Sequence, residues 1–118
     1  MINLDELAKA ALNRDALQLR SLVQDFIRSG DQLVDLAAPQ TLDTQLLSVA
    51  AALVELLAVR TNQPTPNWTA NIGAVAVPLF LVAAAERLPS LRQLCQEESP
   101  EPLKRRKLLA PPNFLSWA

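Results

Sequence analysis

The chain contains no histidine and no tyrosine, and among its 118 residues there are one cysteine and two glycines. Lack of histidine removes the commonest general base and the commonest metal ligand. A lone cysteine, Cys95, makes neither an internal disulfide nor a thiolate metal site. In the run L-R-Q-L-C-Q it reads as a small buried residue of a helix. One reduced cysteine also fits a cytoplasmic protein. The sequence holds no Gly-rich phosphate loop. No nucleophile–base pair forms through imidazole. Charge of one sign is lacking too: 11 basic and 12 acidic side chains leave a net charge of −1. That balance argues against wholesale electrostatic binding to nucleic acid or an anionic membrane. Long uninterrupted apolar runs are absent. Residues 42–59 include Asp43, Gln45 and Glu55, and the 14 residues 72–85 are broken by Pro78. Both fall short of the roughly 18 uncharged residues of a spanning helix, so both are expected to be core helices. Asp5 and Glu6 stand where a signal peptide carries positive charge, and no leader is expected.

What is present is apolar mass. Half the residues are hydrophobic, which argues against disorder and supplies a core for one domain over residues 1–118. The first half, residues 1–62, reads as part of a helical bundle. Asn3 with Glu6 resembles a capping box, and Leu4, Leu7, Ala8, Ala11 and Leu12 follow at helical spacing. After the break Asn13-Arg14-Asp15, a second helix points Leu17, Leu19, Leu22, Val23, Phe26 and Ile27 inward and ends at Ser29-Gly30. Residues 31–36 hold one or two helical turns. Thr41 or Asp43 caps the longest helix, over residues 44–60, which is apolar nearly all round and therefore central. Glu55 and Arg60 mark its narrow exposed strip.

Residues 63–118 are cut by prolines. Pro64 and Pro66 exclude regular helix before Trp68, and Asn71-Ile72-Gly73 reads as a turn. Val75, Val77, Leu79 and Leu81 alternate briefly, compatible with a short extended piece, but a helix over residues 79–87 is the preferred reading, with Pro78 at its first position. Pro89 opens another helix through residue 97. Ser99 caps a last one with Pro100 first and Leu108 at its end, and Pro111-Pro112 forces an extended tail. No internal repeat and no ladder of strands with hairpin turns stands out. The fold class is all-α, a single compact domain of six to seven helices.

Three constellations carry candidate chemistry. Glu97, Glu98 and Glu101 cluster, but they surround the start of the last helix, where negative charge is favoured. Residues 104–107 read K-R-R-K; the preceding 103 residues hold the other 7 basic and all 12 acidic side chains, so the body carries −5 and the run +4. Four adjacent cations spread round a helix, so one is expected to turn inward onto an acidic residue. The others suit a solvated helix end, a protein contact or phosphates. Arg14 and Arg20 are candidates to anchor carboxylates within the fold. Aromatic anchors beside arginine are the usual chemistry of interface hot spots. On that ground Trp68, Arg92, Arg105, Arg106, Phe114 and Trp117 are the candidate partner-binding residues, with Trp117 the anchor. Trp68, following two prolines, also suits a core anchor that fixes a loop. Trp117, second-last in the sequence, either docks back onto the fold or inserts into a partner. Residues 4–29 have the layout of a helix-turn-helix, yet the second helix offers few side chains suited to base edges.

The motif order Q-P-T-P-N-W-T at 63–69, L-P-S-L-R at 88–92, E-S-P-E-P-L-K-R-R at 98–106 and P-N-F-L-S-W-A at the end resembles small bacterial helical proteins. It is also similar to the C-terminal module behind helix-turn-helix domains in some bacterial regulators. Such proteins resemble antitoxin-type partners of nucleotidyltransferase-like toxins. The resemblance implies a helical, non-catalytic partner of a toxin. The regulators carry a DNA-binding domain ahead of this module; none precedes residue 1 here, so direct operator binding is not expected.

The expectation is a cytoplasmic, non-enzymatic protein-binding module that takes no cofactor or metal and does not enter a membrane. Its partner is another protein, a toxin by the resemblance, or a second copy of itself, with a two-fold dimer the default. The alternatives are a nucleic-acid-associated regulator using the basic run and a structural homo-oligomer.

Overall fold

Side-chain caps start the first three helices of the computed structural model, which describes residues 3–116. Helix α1 is Leu4–Leu12, and Asn3 Oδ1 accepts from the amides of Asp5 and Glu6 at 2.9 and 3.3 Å. Helix α2 is Ala16–Ser29; Asp15 accepts from the Gln18 amide at 3.1 Å, and Gly30, at φ 74°, ends it in the left-handed conformation. Helix α3 is Thr44–Thr61, capped by Asp43 and closed by left-handed Asn62. Each cap satisfies amides that the first helical turn leaves without partners.

Only Leu19, Val23 and Phe26 of α2 are buried. Leu17 is 84% exposed and Ile27 40% exposed, not inward as the spacing predicts. Two residues of helix turn through about 200°, so Leu17 faces away from Leu19, and α2 buries one narrow stripe. Helix α3 is long and apolar enough to cross a membrane by length and composition alone, but 67% of it is buried within the fold. It packs on α1, on the short helix α5 (Glu101–Lys104) and on the 3₁₀ turn Asn67–Asn71. This is a core helix, as its all-round apolarity predicts. Glu55, expected on its exposed strip, is only 8% exposed.

The second half departs most from expectation. The helix predicted over residues 79–87 does not form. Leu79–Phe80 is instead a short strand, β1, parallel to β2 (Leu108–Leu109), and the 3₁₀ turn Ala83–Glu86 follows. The amides of Leu79 and Leu81 donate to the carbonyls of Lys107 and Leu109 at 3.0 and 2.9 Å. The brief alternation of Val75, Val77, Leu79 and Leu81 had the right period, and a distant segment supplied the ladder that decided it. Parallel strands need a long crossover, here carrying helix α4 (Pro89–Glu98) and α5. Ser99, expected to cap the last helix, does not. Its hydroxyl donates to the Leu108 carbonyl at 3.0 Å and accepts from the Ala110 amide at 3.3 Å, closing the outer edge of β2.

The last helix is one turn, not two. After Lys104 the chain bends, Lys107 takes φ 64°, and Leu108 enters the strand. The described residues contain five α-helices against six to seven expected, because residues 33–35 and 83–86 form only 3₁₀ turns. The fold remains mostly helical, 59% helix against 4% strand. One hydrophobic cluster runs from Leu4 to Leu115, so both halves share a core.

Candidate partner-binding surface

Arg106 holds the two halves together. It stands two residues past α5 and is 4% exposed. Its Nη1 and Nη2 donate to Oε1 and Oε2 of Glu55 in the centre of α3, the second at 3.1 Å. The same guanidinium donates to the Thr69 carbonyl at 2.8 Å and the Pro102 carbonyl at 3.3 Å. One planar fork thereby links α3, the turn after Trp68 and α5, which suits arginine and not lysine. Burial pushes the Glu55 carboxyl up, but hydrogen bonds from Arg106 and then Arg105 outweigh it and hold it below its ordinary value.

Arg105 reaches the same carboxylate through Nη2, on Oε1, but its side chain is half exposed. Arg106 already engages both oxygens, so Arg105 is the second cation on a satisfied acid. Lys104 and Lys107 are exposed beside it, Lys104 donating to the Glu97 carbonyl at 3.3 Å. The basic run thus turns one cation inward and presents three. Hollows of about 270 and 370 Å³ lie on either side of Arg105, one floored by Ile72, Gly73 and Ala74, the other by Ala58, Val59 and Pro64.

The other candidate residues are dispersed. Trp68 is half-buried against the core, and its indole Nε1 donates to the Leu36 carbonyl at 2.9 Å, fixing the loop between α2 and α3. Arg92 spends its guanidinium on the carbonyls of Ala85 and Glu86, at 3.1 and 2.8 Å, bracing the 3₁₀ turn before α4. Phe114 is 8% exposed, and its carbonyl accepts from Arg60 Nε and Nη2 at 3.2 and 2.9 Å. Arg106 and Phe114 are therefore drawn into the fold and leave the surface, because a central carboxylate and the apolar core respectively claim them. Arg105 and Arg92 are the exposed members of the set among the described residues, and Arg92 is spent on backbone carbonyls. Trp117 lies outside the described residues.

Sequence reading missed Arg60 as the clamp on the tail, and nothing local signals it. It did single out Arg14, which pairs with Glu86 across 72 residues and holds that carboxyl below its ordinary value. Glu97, Glu98 and Glu101 are exposed, with Gln93 donating to Glu97 at 3.2 Å. Among the described residues no group of three acidic, cysteine or histidine side chains is placed to hold a metal ion. Cys95 is fully buried, and burial pushes its thiol up.

No family model, no curated protein and no solved structure matches the chain.

Proposed function

We propose that this protein is a non-catalytic, cytoplasmic binding module whose partner is another protein, and that the partner is a toxin of the nucleotidyltransferase-like kind. The observation that carries the reading is the turn at residues 104–107. Arg106 is anchored on Glu55 by two hydrogen bonds and on two further carbonyls. That anchor holds Arg105, Lys104 and Lys107 outward on a base with little freedom to lose. Pre-organised cations of this sort favour association with an acidic protein surface, because ordering them costs little on binding. Three exposed cations on a chain of net charge −1 suit a local protein contact better than a nucleic-acid track. The toxin assignment comes from the resemblance.

Affinity capture from the native host, comparing the natural chain with the Lys104→Gln/Arg105→Gln/Lys107→Gln variant, tests the reading. One dominant partner, captured at least tenfold less by the variant, is the expected result. Co-expression of the chain with that partner then relieves growth inhibition if the partner is a toxin. Equal capture by both proteins removes the basic turn from the interface. Capture of nucleic acid with a steep loss in salt replaces the reading with the nucleic-acid one.

A further inference from the structure

A largely apolar groove of about 340 Å³ lies between the α1–α2 corner and the Ala83–Glu86 turn. It shares no lining residue with the hollows beside Arg105. Ala16, Leu19, Leu81, Ala84 and Phe114 line it. Short alanine side chains on both walls leave the space that larger residues would fill. Leu88, a large hydrophobic that is 52% exposed, follows the lining residue Arg87 in sequence.

The charges around the groove are unequal in their partners. Arg14, in the left-handed conformation at φ 57°, is paired with Glu86 and ties one wall to the other. Asp15 is committed to the Gln18 amide as the α2 cap. Arg92 braces the turn through the carbonyls of Ala85 and Glu86. Arg87 lines the groove, is exposed, and has no side-chain ion pair or hydrogen bond among the described residues. Asp15 keeps its charge at the α2 end of the groove, while at the other wall the Arg87 guanidinium stands without a hydrogen-bonding partner among the described residues; an apolar slot with that guanidinium at its rim is complementary to an apolar side chain with a carboxylate close behind it.

We propose that this groove seats a leucine- or phenylalanine-type side chain of a protein partner, with an aspartate or glutamate of the same segment on Arg87. The proposal rests on the reading of the chain as a protein-binding module and adds a second contact to the basic turn.

The probe is a random 12-residue peptide library displayed on phage, selected against the full chain. Enriched peptides are expected to share an apolar residue with Asp or Glu within the next two positions. A synthetic consensus peptide should bind at least tenfold more weakly to Ala16→Glu and to Arg87→Glu, and equally to Lys104→Gln/Lys107→Gln. Ala16 opens α2, where an acidic side chain is favoured, so that variant is expected to fold, and its melting curve checks this. No enrichment, enrichment of basic peptides, or binding indifferent to both groove variants overturns the proposal. So does a natural dimer that Ala16→Glu dissociates, which would make a second copy the occupant. If the captured partner remains bound to both groove variants while the basic-turn variant loses it, the groove assignment fails and the binding-module reading stands.

Discussion

Replacing Glu55 with glutamine strips the charge from the acid that two arginines share. The side chains of Glu55 and Arg106 are 9% and 5% exposed, so Arg106 is left as an uncompensated cation in the interior. Breaking a buried pair from one side costs about 3–5 kcal/mol, a large part of the roughly 5–15 kcal/mol that holds a domain of this kind folded. The Arg105 contact adds little, because a pair with a half-exposed partner contributes at most about 1 kcal/mol. Urea unfolding followed by far-ultraviolet circular dichroism is the assay. With a urea slope of about 1.5–2 kcal/mol/M, a loss of about 3 kcal/mol lowers the midpoint by roughly 1.5–2 M. Arg105→Gln should move it by about 0.7 M or less. The double replacement Glu55→Met/Arg106→Met should lose less than either single one, since it leaves no stranded charge. The same pair makes stability depend on pH. The folded carboxyl sits below its ordinary 4.5, so its contribution is complete above that value and is lost as pH falls through the depressed folded one. Glu55→Gln should remove this component of acid sensitivity. A single variant that loses under 1 kcal/mol, or a double that loses the sum of the two, would refute the account of Arg106 as the tie between the halves.

Three further outcomes follow from local geometry. Lys107 holds φ 64° without a glycine's freedom; Lys107→Gly should relieve about 1 kcal/mol of backbone strain, offset in part by unfolded-state entropy, and raise the melting temperature slightly. Asp43 accepts from the amides of Gln45 and Leu46 at the start of the central helix, so Asp43→Ala should cost about 1 kcal/mol in chemical denaturation. Cys95, buried with its thiol pushed up, should react with a thiol-specific dye far more slowly in the native protein than in urea, because the thiolate is the nucleophile; equal rates would show that α4 is open.

Much of the first half was legible because its signals are local. Asn3, Asp15 and Asp43 sit one residue before apolar patterns and cap them in the structure. Gly30 marks the end of α2. The apolarity of α3 foretold its central place, since a helix without a polar face has nowhere else to go. The candidate surface was legible only in part. That one residue of the K-R-R-K run turns inward onto an acid follows from four adjacent cations on a helix end; that it is Arg106, and that the acid is Glu55, does not.

The sequence by itself determined the helical class, the caps and breaks of the first three helices, and the scarcity of side chains suited to acid–base or metal chemistry. These follow from composition and from contacts within a few residues. Tertiary structure alone decided that Leu79–Phe80 would be a strand, that Ser99 would close a sheet edge instead of capping a helix, and that Arg106 and Phe114 would be internal while Arg105 stayed exposed. Each of those outcomes depends on a hydrogen-bonding group or an apolar wall supplied by residues 9 to more than 50 positions away. No local pattern encodes such a partner; the chain acquires it only when the core closes around α3.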